Sequence, residues 1–164
     1  MNRRVDLDDH LARILLVLSR AQSDGRRPDV LTILFMDFLV RYPVLLEQVA
    51  TTAQVASASE VAPNADEISA ISASAVRFKL NSDQTRYRVL IGALVGMRLL
   101  EVDGQHFLVT AQGAGVVAAL SSSETWSTAV RRVQIVVQLL SATDDLPSLV
   151  YACLPDRFIQ RLEL

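Results

Sequence analysis

The sequence has few of the residues that cross-link a fold or carry out catalysis. Its 164 residues include one cysteine and two histidines, so an internal disulfide is excluded and a zinc site would lack its usual ligands. The chain also has no GxxxxGKS or GxxxxGKT loop for nucleotide phosphates and no GxSxG turn for a nucleophilic serine. We therefore predict no catalytic residue, no cofactor site and no metal site.

Positive charge is not in excess either. The 16 Lys and Arg residues against 18 Asp and Glu residues leave a net charge of -2, so nucleic acid would need a local basic patch. The most apolar run, residues 30–40, contains Asp37 and is far shorter than the ~20 residues that span a bilayer. Acids follow the first arginines, unlike a secretory signal, and Cys153 lies in an apolar run typical of a buried thiol. These features predict a cytoplasmic protein that does not bind membranes.

Residues 85–110 contain the clearest structural pattern. Apolar residues first recur at helical spacing and then, from Leu100, alternate as in a strand. Asp103-Gly104 supplies a two-residue turn, and residues 107–109 begin a returning strand. The apolar positions of the helical part are Tyr87, Leu90, Leu94 and Met97. A helix followed by a tight hairpin predicts a winged helix, with its wing at 100–110.

Composition divides the rest of the chain around this unit. We predict core helices in residues 1–54, an Ala- and Ser-rich connection at 55–75, a winged-helix core at 76–123 and C-terminal helices at 124–164. The predicted fold class is mainly α with a small β-hairpin or three-stranded wing. It is a winged helix-turn-helix domain with additional N- and C-terminal helices.

Local signals refine the N-terminal half. Pro28-Asp29 opens a central helix that must end before Pro43, so that Arg41-Tyr42-Pro43 forms a corner and Pro43 begins a third helix. Residues 76–80 alternate as a strand that could join the wing, and Asn81-Ser82-Asp83 would end it and cap the next helix.

Three further predictions concern the later segments. Gly92 and Gly96 share one face of their helix, which favours close packing of another backbone there. A helix beginning near Thr110 should end at the serine run 121–123, and residues 130–140 favour a helix, with a strand as the alternative. Asp144-Asp145 caps a short helix, and Pro155 starts a last one.

Isolated titratable residues are the remaining candidates for chemistry. His10 lies on the first helix and His106 on the wing, where a surface position is expected. Asp8 and Asp9 are explained by capping at a helix start, and Asp37 by a polar helix face. We expect none of them to form an acid–base pair.

The ligand of the winged helix is either DNA or protein. Basic residues surround the candidate recognition helix and would contact phosphates, whereas its second face is apolar and would bury against another protein. The candidate DNA contacts are Arg77, Lys79, Arg86, Arg88 and Arg98. The candidate protein interface is Val89, Ile91, Val95 and Leu99. An acid at the wing tip and the apolar face favour protein.

Four stretches carry a family resemblance. FMDFLVRYPVLLEQV, VRFKL, YRVLIGALVGMRLLEV and GAGVVAAL, the last followed by Trp126, resemble the small middle component of prokaryotic three-component ABC-ATPase conflict systems, related to Lamassu-type anti-phage operons. The resemblance covers roughly residues 11–158. It implies a winged-helix protein without catalytic residues, encoded beside an SMC- or Rad50-like coiled-coil ATPase and an effector.

These observations predict a non-enzymatic adaptor that binds an SMC-like ABC ATPase and couples it to an effector subunit in defence against phage or plasmids. Any contact with DNA would be made through the complex. The sequence does not decide whether the chain also forms a homodimer. The alternative is a dimeric winged-helix transcription regulator that binds DNA. A weaker third hypothesis is a hydrolase that uses scattered carboxylates, with Asp37 as its best candidate.

Overall fold

The computed structural model of the chain describes residues 3–61, 63, 66 and 80–154, with the backbone alone at 3–8, 58 and 80–84. This part is mainly helical and contains one small antiparallel sheet of two strands. Its elements are α1 Arg3–Ser23, α2 Val30–Arg41, α3 Pro43–Thr52, α4 Ala58–Val61, α5 Leu80–Gly96, β1 Leu100–Asp103, β2 His106–Val109, α6 Ala111–Ser121, a 3-10 turn Glu124–Trp126, α7 Ser127–Ala142 and α8 Leu146–Cys153. The mainly helical class with a small hairpin is thus confirmed.

Helix α2 is the centre of the core. The Asp29 carboxylate accepts a hydrogen bond from the Thr32 N–H and caps the helix start. The helix ends at Tyr42 because Pro43 follows, and Pro43 in turn opens α3. The predicted bounds and the corner are therefore confirmed. Every residue from Ile33 to Val40 is buried.

Helix α5 packs on this centre with one face only. It contacts α1 and α2, and Tyr87, Leu90 and Leu94 are buried there as predicted. Met97 was predicted to belong to the same stripe, but it follows the end of the helix and is exposed. The start of α5 also differs from the prediction, because Asn81-Ser82-Asp83 lie inside the helix rather than before it.

The hairpin forms where it was predicted. Its strands pair in register from Leu100 with Val109 to Asp103 with His106, so the turn is Gly104-Gln105, one residue later than predicted. Gly104 has φ +63°, a conformation that favours glycine. The remaining residues of the predicted third strand, 76–79, lie outside the described residues, and Leu80 opens α5 instead.

A hydrogen bond and an ion pair connect the hairpin to the C-terminal end of α1 and the loop that follows it. The Val109 N–H donates to Gln22 Oε1 over 2.8 Å. Arg27 Nη1 lies 2.8 Å from Asp103 Oδ2, so the acid near the wing tip is paired. The wing therefore does not project freely from the body.

Helix α6 begins against the base of the hairpin. The Thr110 hydroxyl accepts from the Gly113 N–H and caps the helix. A Cβ on Gly113 would stand 2.2 Å from the Leu99 carbonyl oxygen, so this glycine permits a close backbone approach that the sequence patterns did not indicate.

The other helices follow the predicted plan. The end of α6 in the serine run is confirmed, and residues 127–142 are helical rather than a strand. The Asp145 carboxylate caps α8 as predicted. Within the predicted connection, α4 is a short helix, and residues 67–75 lie outside the described residues, as does the helix predicted from Pro155. In the part of the chain that the structure describes, no helix is both long and apolar enough to cross a membrane.

Candidate functional site

Asp37 is the centre of a buried polar cluster. Its side chain is 0% exposed although it was predicted to occupy a polar helix face, and this prediction is wrong. Arg13 Nε lies 2.9 Å from Oδ1, and the Tyr87 hydroxyl donates to Oδ2. Arg41 Nε stands 3.6 Å and His10 Nδ1 3.5 Å from Oδ2. Helices α1, α2 and α5 are therefore joined at one carboxylate.

The cluster holds both acidic partners in fixed protonation states. Burial alone would raise the pKa of Asp37, but the adjacent His10 ring and the charges of Arg41 and Arg13 outweigh it and hold this pKa well below its usual range. For Tyr87, burial and the neighbouring Asp37 carboxylate raise the pKa of the phenol far above its ordinary value. The tyrosine thus stays protonated and donates, while the carboxylate stays ionised and accepts.

The same geometry constrains His10. Arg41 Nη1 lies 3.0 Å from His10 Nε2, and because a guanidinium only donates, Nε2 must accept. The ring proton then belongs on Nδ1, the nitrogen that faces Asp37. Arg41 also covers the Tyr42 ring at 5.2 Å, at the predicted corner. An acid enclosed in this way has no path to a substrate, so we interpret the cluster as a structural lock.

The candidate DNA contacts are only partly described. Arg86, Arg88 and Arg98 are exposed, and none of the described acids pairs with them. Arg98 adopts φ +59° in the bend that leads into the hairpin. Arg77 and Lys79 lie outside the described residues. The structure thus brings two exposed guanidinium groups onto α5 and a third just beyond it.

The four residues of the candidate protein interface do not share one face of the protein. Val89 is 68% exposed, whereas Ile91 is 2% exposed and lies in the core, so its predicted place on an exposed face is wrong. Val95 and Leu99 are half-buried against the core. Since successive residues turn by about 100°, Ile91 falls on the side of Tyr87 and Leu94 while Val89 points away.

A stripe of small residues remains open on the outer side of α5. The helical repeat aligns Thr85, Val89, Gly92 and Gly96 there, and we call these four residues the outer stripe. No described atom lies within 4 Å of a Cβ placed on either glycine, so the predicted close backbone does not come from the described chain. The same repeat places Arg86 on one side of the stripe and Arg88 on the other.

Exposed apolar side chains are concentrated in one segment. Among the residues whose side chains are described, the large hydrophobic ones that are exposed are Val89, Met97, Val102 and Val116. All four lie between positions 89 and 116, the end of α5, the hairpin and α6. Val102 on β1 is 60% exposed. Sequence reasoning identified this segment as a unit but named only Val89 of the four as an interface residue.

A groove of about 280 Å³ lies between α1, α6 and α7. Leu16, Val117, Val130 and Val133 contribute apolar walls, and serine hydroxyls, Gln134 and Arg20 contribute polar ones. Among the described residues, Arg20 is the only titratable side chain that lines it, and it faces Asp24 at 3.8 Å. The groove therefore contains no acid–base pair.

The remaining candidates are dispersed. His106 is half-buried rather than on the surface, and Cys153 Sγ lies 3.7 Å from Thr52 Oγ1. Over the described ranges, no three side chains of His, Cys, Asp or Glu come together in a way that could hold a metal ion.

Comparisons with known proteins return no relative. The chain matches no protein-family model, no curated protein and no solved structure.

Proposed function

We propose that this chain is a non-catalytic winged-helix adaptor that binds an SMC- or Rad50-like ABC ATPase and couples it to an effector in prokaryotic defence against phage or plasmids. One observation carries the proposal. The exposed large hydrophobic side chains of the described structure all fall between positions 89 and 116. A contiguous patch of exposed apolar side chains is typical of a surface that another protein covers, and the proposal takes these four side chains as parts of one such surface.

The class of partner is supported by the sequence resemblance. The middle components that this sequence resembles are encoded beside a coiled-coil ATPase, which would supply the hydrolysis. A helix that leads directly into a tight hairpin, as α5 leads into β1 and β2, supports the winged-helix interpretation.

Co-expression with the proteins of the adjacent reading frames tests the proposal. We expect the chain to co-purify with an ATPase at physiological salt and to migrate with it in gel filtration. Val89→Glu combined with Val102→Glu should weaken the complex, because each places a charge where an apolar side chain would be buried. Ala152→Glu, an exposed position on α8, is the matched control. Recovery of the chain alone would contradict the proposal.

A DNA-binding regulator is the second candidate, favoured by the exposed arginines of α5. Because Arg27 pairs with Asp103, the acid near the wing tip repels phosphates less than its sequence position suggests. This function predicts that duplex DNA binds with an affinity that falls steeply with salt, and that Arg86→Ala or Arg88→Ala weakens it. Affinity that is unmeasurable at low salt would exclude it.

A further inference from the structure

We infer that His10 is a proton-sensitive switch in the core: protonation of its Nε2 atom breaks the contact with Arg41 and turns the Arg41 guanidinium out of the Asp37 cluster. Three properties of the cluster carry this inference, which does not depend on the proposed function. They are the hydrogen-bonding roles of its atoms, its charge and the unequal exposure of its members.

The described geometry requires a neutral imidazole at His10. Arg41 Nη1 lies 3.0 Å from His10 Nε2, and a guanidinium carries donors only, so Nε2 must be the unprotonated nitrogen of the ring. The Nδ1 atom, 3.5 Å from Asp37 Oδ2, then carries the ring proton. The imidazole therefore accepts from Arg41 on one side and turns its N–H toward the carboxylate on the other.

Protonation removes the acceptor on which the contact with Arg41 depends. An imidazolium donates from both nitrogens, so a new N–H at His10 Nε2 would face the N–H donors of Arg41 Nη1 at 3.0 Å. Two donors cannot share a hydrogen bond, and two positive charges would stand in contact. Histidine is the side chain whose charge ordinarily changes near neutral pH. A mildly acidic medium is therefore the trigger that this arrangement detects.

The charges of the cluster act in the same direction. Asp37 and Arg41 face the ring from α2, and the Asp37 carboxylate is also contacted by Arg13 of α1 and by the Tyr87 hydroxyl of α5. With a neutral imidazole at His10, two guanidinium groups surround one carboxylate. With an imidazolium, three cations do. Departure of Arg41 restores the count of two.

The other described neighbours of α1 do not offset this charge. Helix α6 has no charged residue, and the titratable side chains of α7 and β2 are Arg131, Arg132 and His106. Among the described residues, no hydrogen bond or ion pair joins His10 to any of these three. The pKa of Asp37 lies well below its usual range, so this carboxylate stays ionised while a histidine titrates.

Arg41 is the member of the cluster that moves. Its side chain is 21% exposed, whereas that of His10 is 5% exposed, so the guanidinium has the shorter path to water. Arg13 Nε keeps Asp37 Oδ1 at 2.9 Å, and the imidazolium pairs with Oδ2, so α1 stays joined to α2. The change that reaches the surface lies at the corner between α2 and α3, where Arg41 covers the Tyr42 ring.

The test is an NMR titration of the wild-type chain from about pH 8 to about pH 5, with isotope-labelled nitrogen in the histidine and arginine side chains. At the high end, we expect His10 to carry its proton on Nδ1 and the Arg41 Nε–H to give a resolved signal. As His10 becomes protonated, the Arg41 signal should be lost with the same midpoint. The Arg13 Nε–H signal should persist, because Asp37 Oδ1 still accepts from it.

Two histidine variants form a matched pair. A glutamine side chain has an oxygen that accepts a hydrogen bond but gains no proton in this range, so His10→Gln should keep the Arg41 signal at every pH of the titration. His106→Gln, at the half-buried histidine of β2, should leave the wild-type transition unchanged. Circular dichroism at both ends of the titration checks that the helices remain folded.

Four outcomes overturn the inference. A His10 proton on Nε2 at the high end, a His10 that stays neutral down to the low end, or an Arg41 signal that persists while His10 becomes protonated each exclude the switch. A loss of the Arg41 signal that survives in His10→Gln assigns the transition to another group. If His10→Gln does not fold, the wild-type titration still decides, because the first three outcomes need no variant.

Discussion

Two helices of nearly equal hydrophobicity occupy opposite environments in this protein. Helix α2, VLTILFMDFLVR, and helix α6, AQGAGVVAALS, contain mostly apolar residues and little charge. Eight consecutive residues of α2 are buried, from Ile33 to Val40, whereas Gly113 is the one buried residue of α6. Apolar composition alone therefore does not determine which helix forms the core.

The difference lies in side-chain size and in neighbours. Helix α2 presents large side chains in every direction and packs against α1, α3, α5, α7 and α8. Helix α6 consists mostly of Ala, Gly and Val, and its main contacts are with α1 and β2. Small side chains bury little area per residue, so the exposure of α6 to water costs little free energy. In the described part of the chain its surface is largely exposed, as is the outer stripe of α5.

The largest expected effect on stability distinguishes α2 from α6. Phe35→Ala in α2 removes a fully buried ring that packs edge-on against Tyr151, so we expect a loss of ~3–5 kcal/mol in the free energy of unfolding. Val116→Ala in α6 removes an exposed side chain and should cost less than ~1 kcal/mol. Urea unfolding followed by circular dichroism measures both. Similar losses for the two variants would contradict the assignment of α2 as the core.

Asp37 is the polar exception within the core helix. Asp37→Ala leaves the Arg13 and Arg41 guanidinium groups without their buried acceptor, so a loss of ~3–5 kcal/mol is expected. Asp103→Ala, which breaks the exposed pair with Arg27, should cost at most ~1 kcal/mol. Equal effects in urea unfolding would mean that the Asp37 cluster is not the lock between α1, α2 and α5.

A change of pH should reproduce part of the Asp37 effect. Its folded pKa is depressed, whereas an unfolded aspartate titrates near ~3.9, so the unfolded state binds the proton first as pH falls. The stability from this group is fully present above about pH 5 and is lost as pH falls through the folded value. We expect the difference between wild type and Asp37→Ala in urea midpoint to shrink from pH 6 to pH 3. A constant difference would argue against an ionised Asp37.

Alanine substitutions at two glycines of α6 should change the free energy of unfolding in opposite directions. A Cβ at Gly113 would collide with the Leu99 carbonyl, so Gly113→Ala should destabilise by about 1–3 kcal/mol. No described atom lies within 4 Å of a Cβ placed on Gly115, so Gly115→Ala should stabilise by up to about 1 kcal/mol through helix propensity. Thermal unfolding of both variants measures the two stability changes. A stabilising Gly113→Ala would mean that α6 does not approach the hairpin as closely as described.

Local signals were sufficient for much of the fold. Asp29 and Pro43 bound α2 because a cap and a proline act on their own neighbours, and the hairpin formed around Gly104 because its turn needs positive φ. The start of α5 was predicted too late. Asn81-Ser82-Asp83 resemble a cap, yet the helix continues through them to Leu80.

The site depends on contacts that no local pattern contains. Tyr87 meets Asp37 from fifty residues further along the chain, and His10 and Arg13 reach it from α1. The sequence signal was a charged residue within a strongly apolar helix, and the helical periodicity assigned this residue to a polar face. Similarly, apolar residues occupy two faces of α5, so the pattern did not tell buried Ile91 from exposed Val89.

Hydrogen–deuterium exchange of this chain, free and in complex with the neighbouring ATPase, tests the central claim most directly. We predict that complex formation slows exchange at residues 85–96 and in the hairpin, while the amides of α7 keep their rates. Slower exchange confined to α7 and α8, with residues 85–116 unchanged, would contradict the assignment of the α5–hairpin–α6 segment as the partner-binding surface.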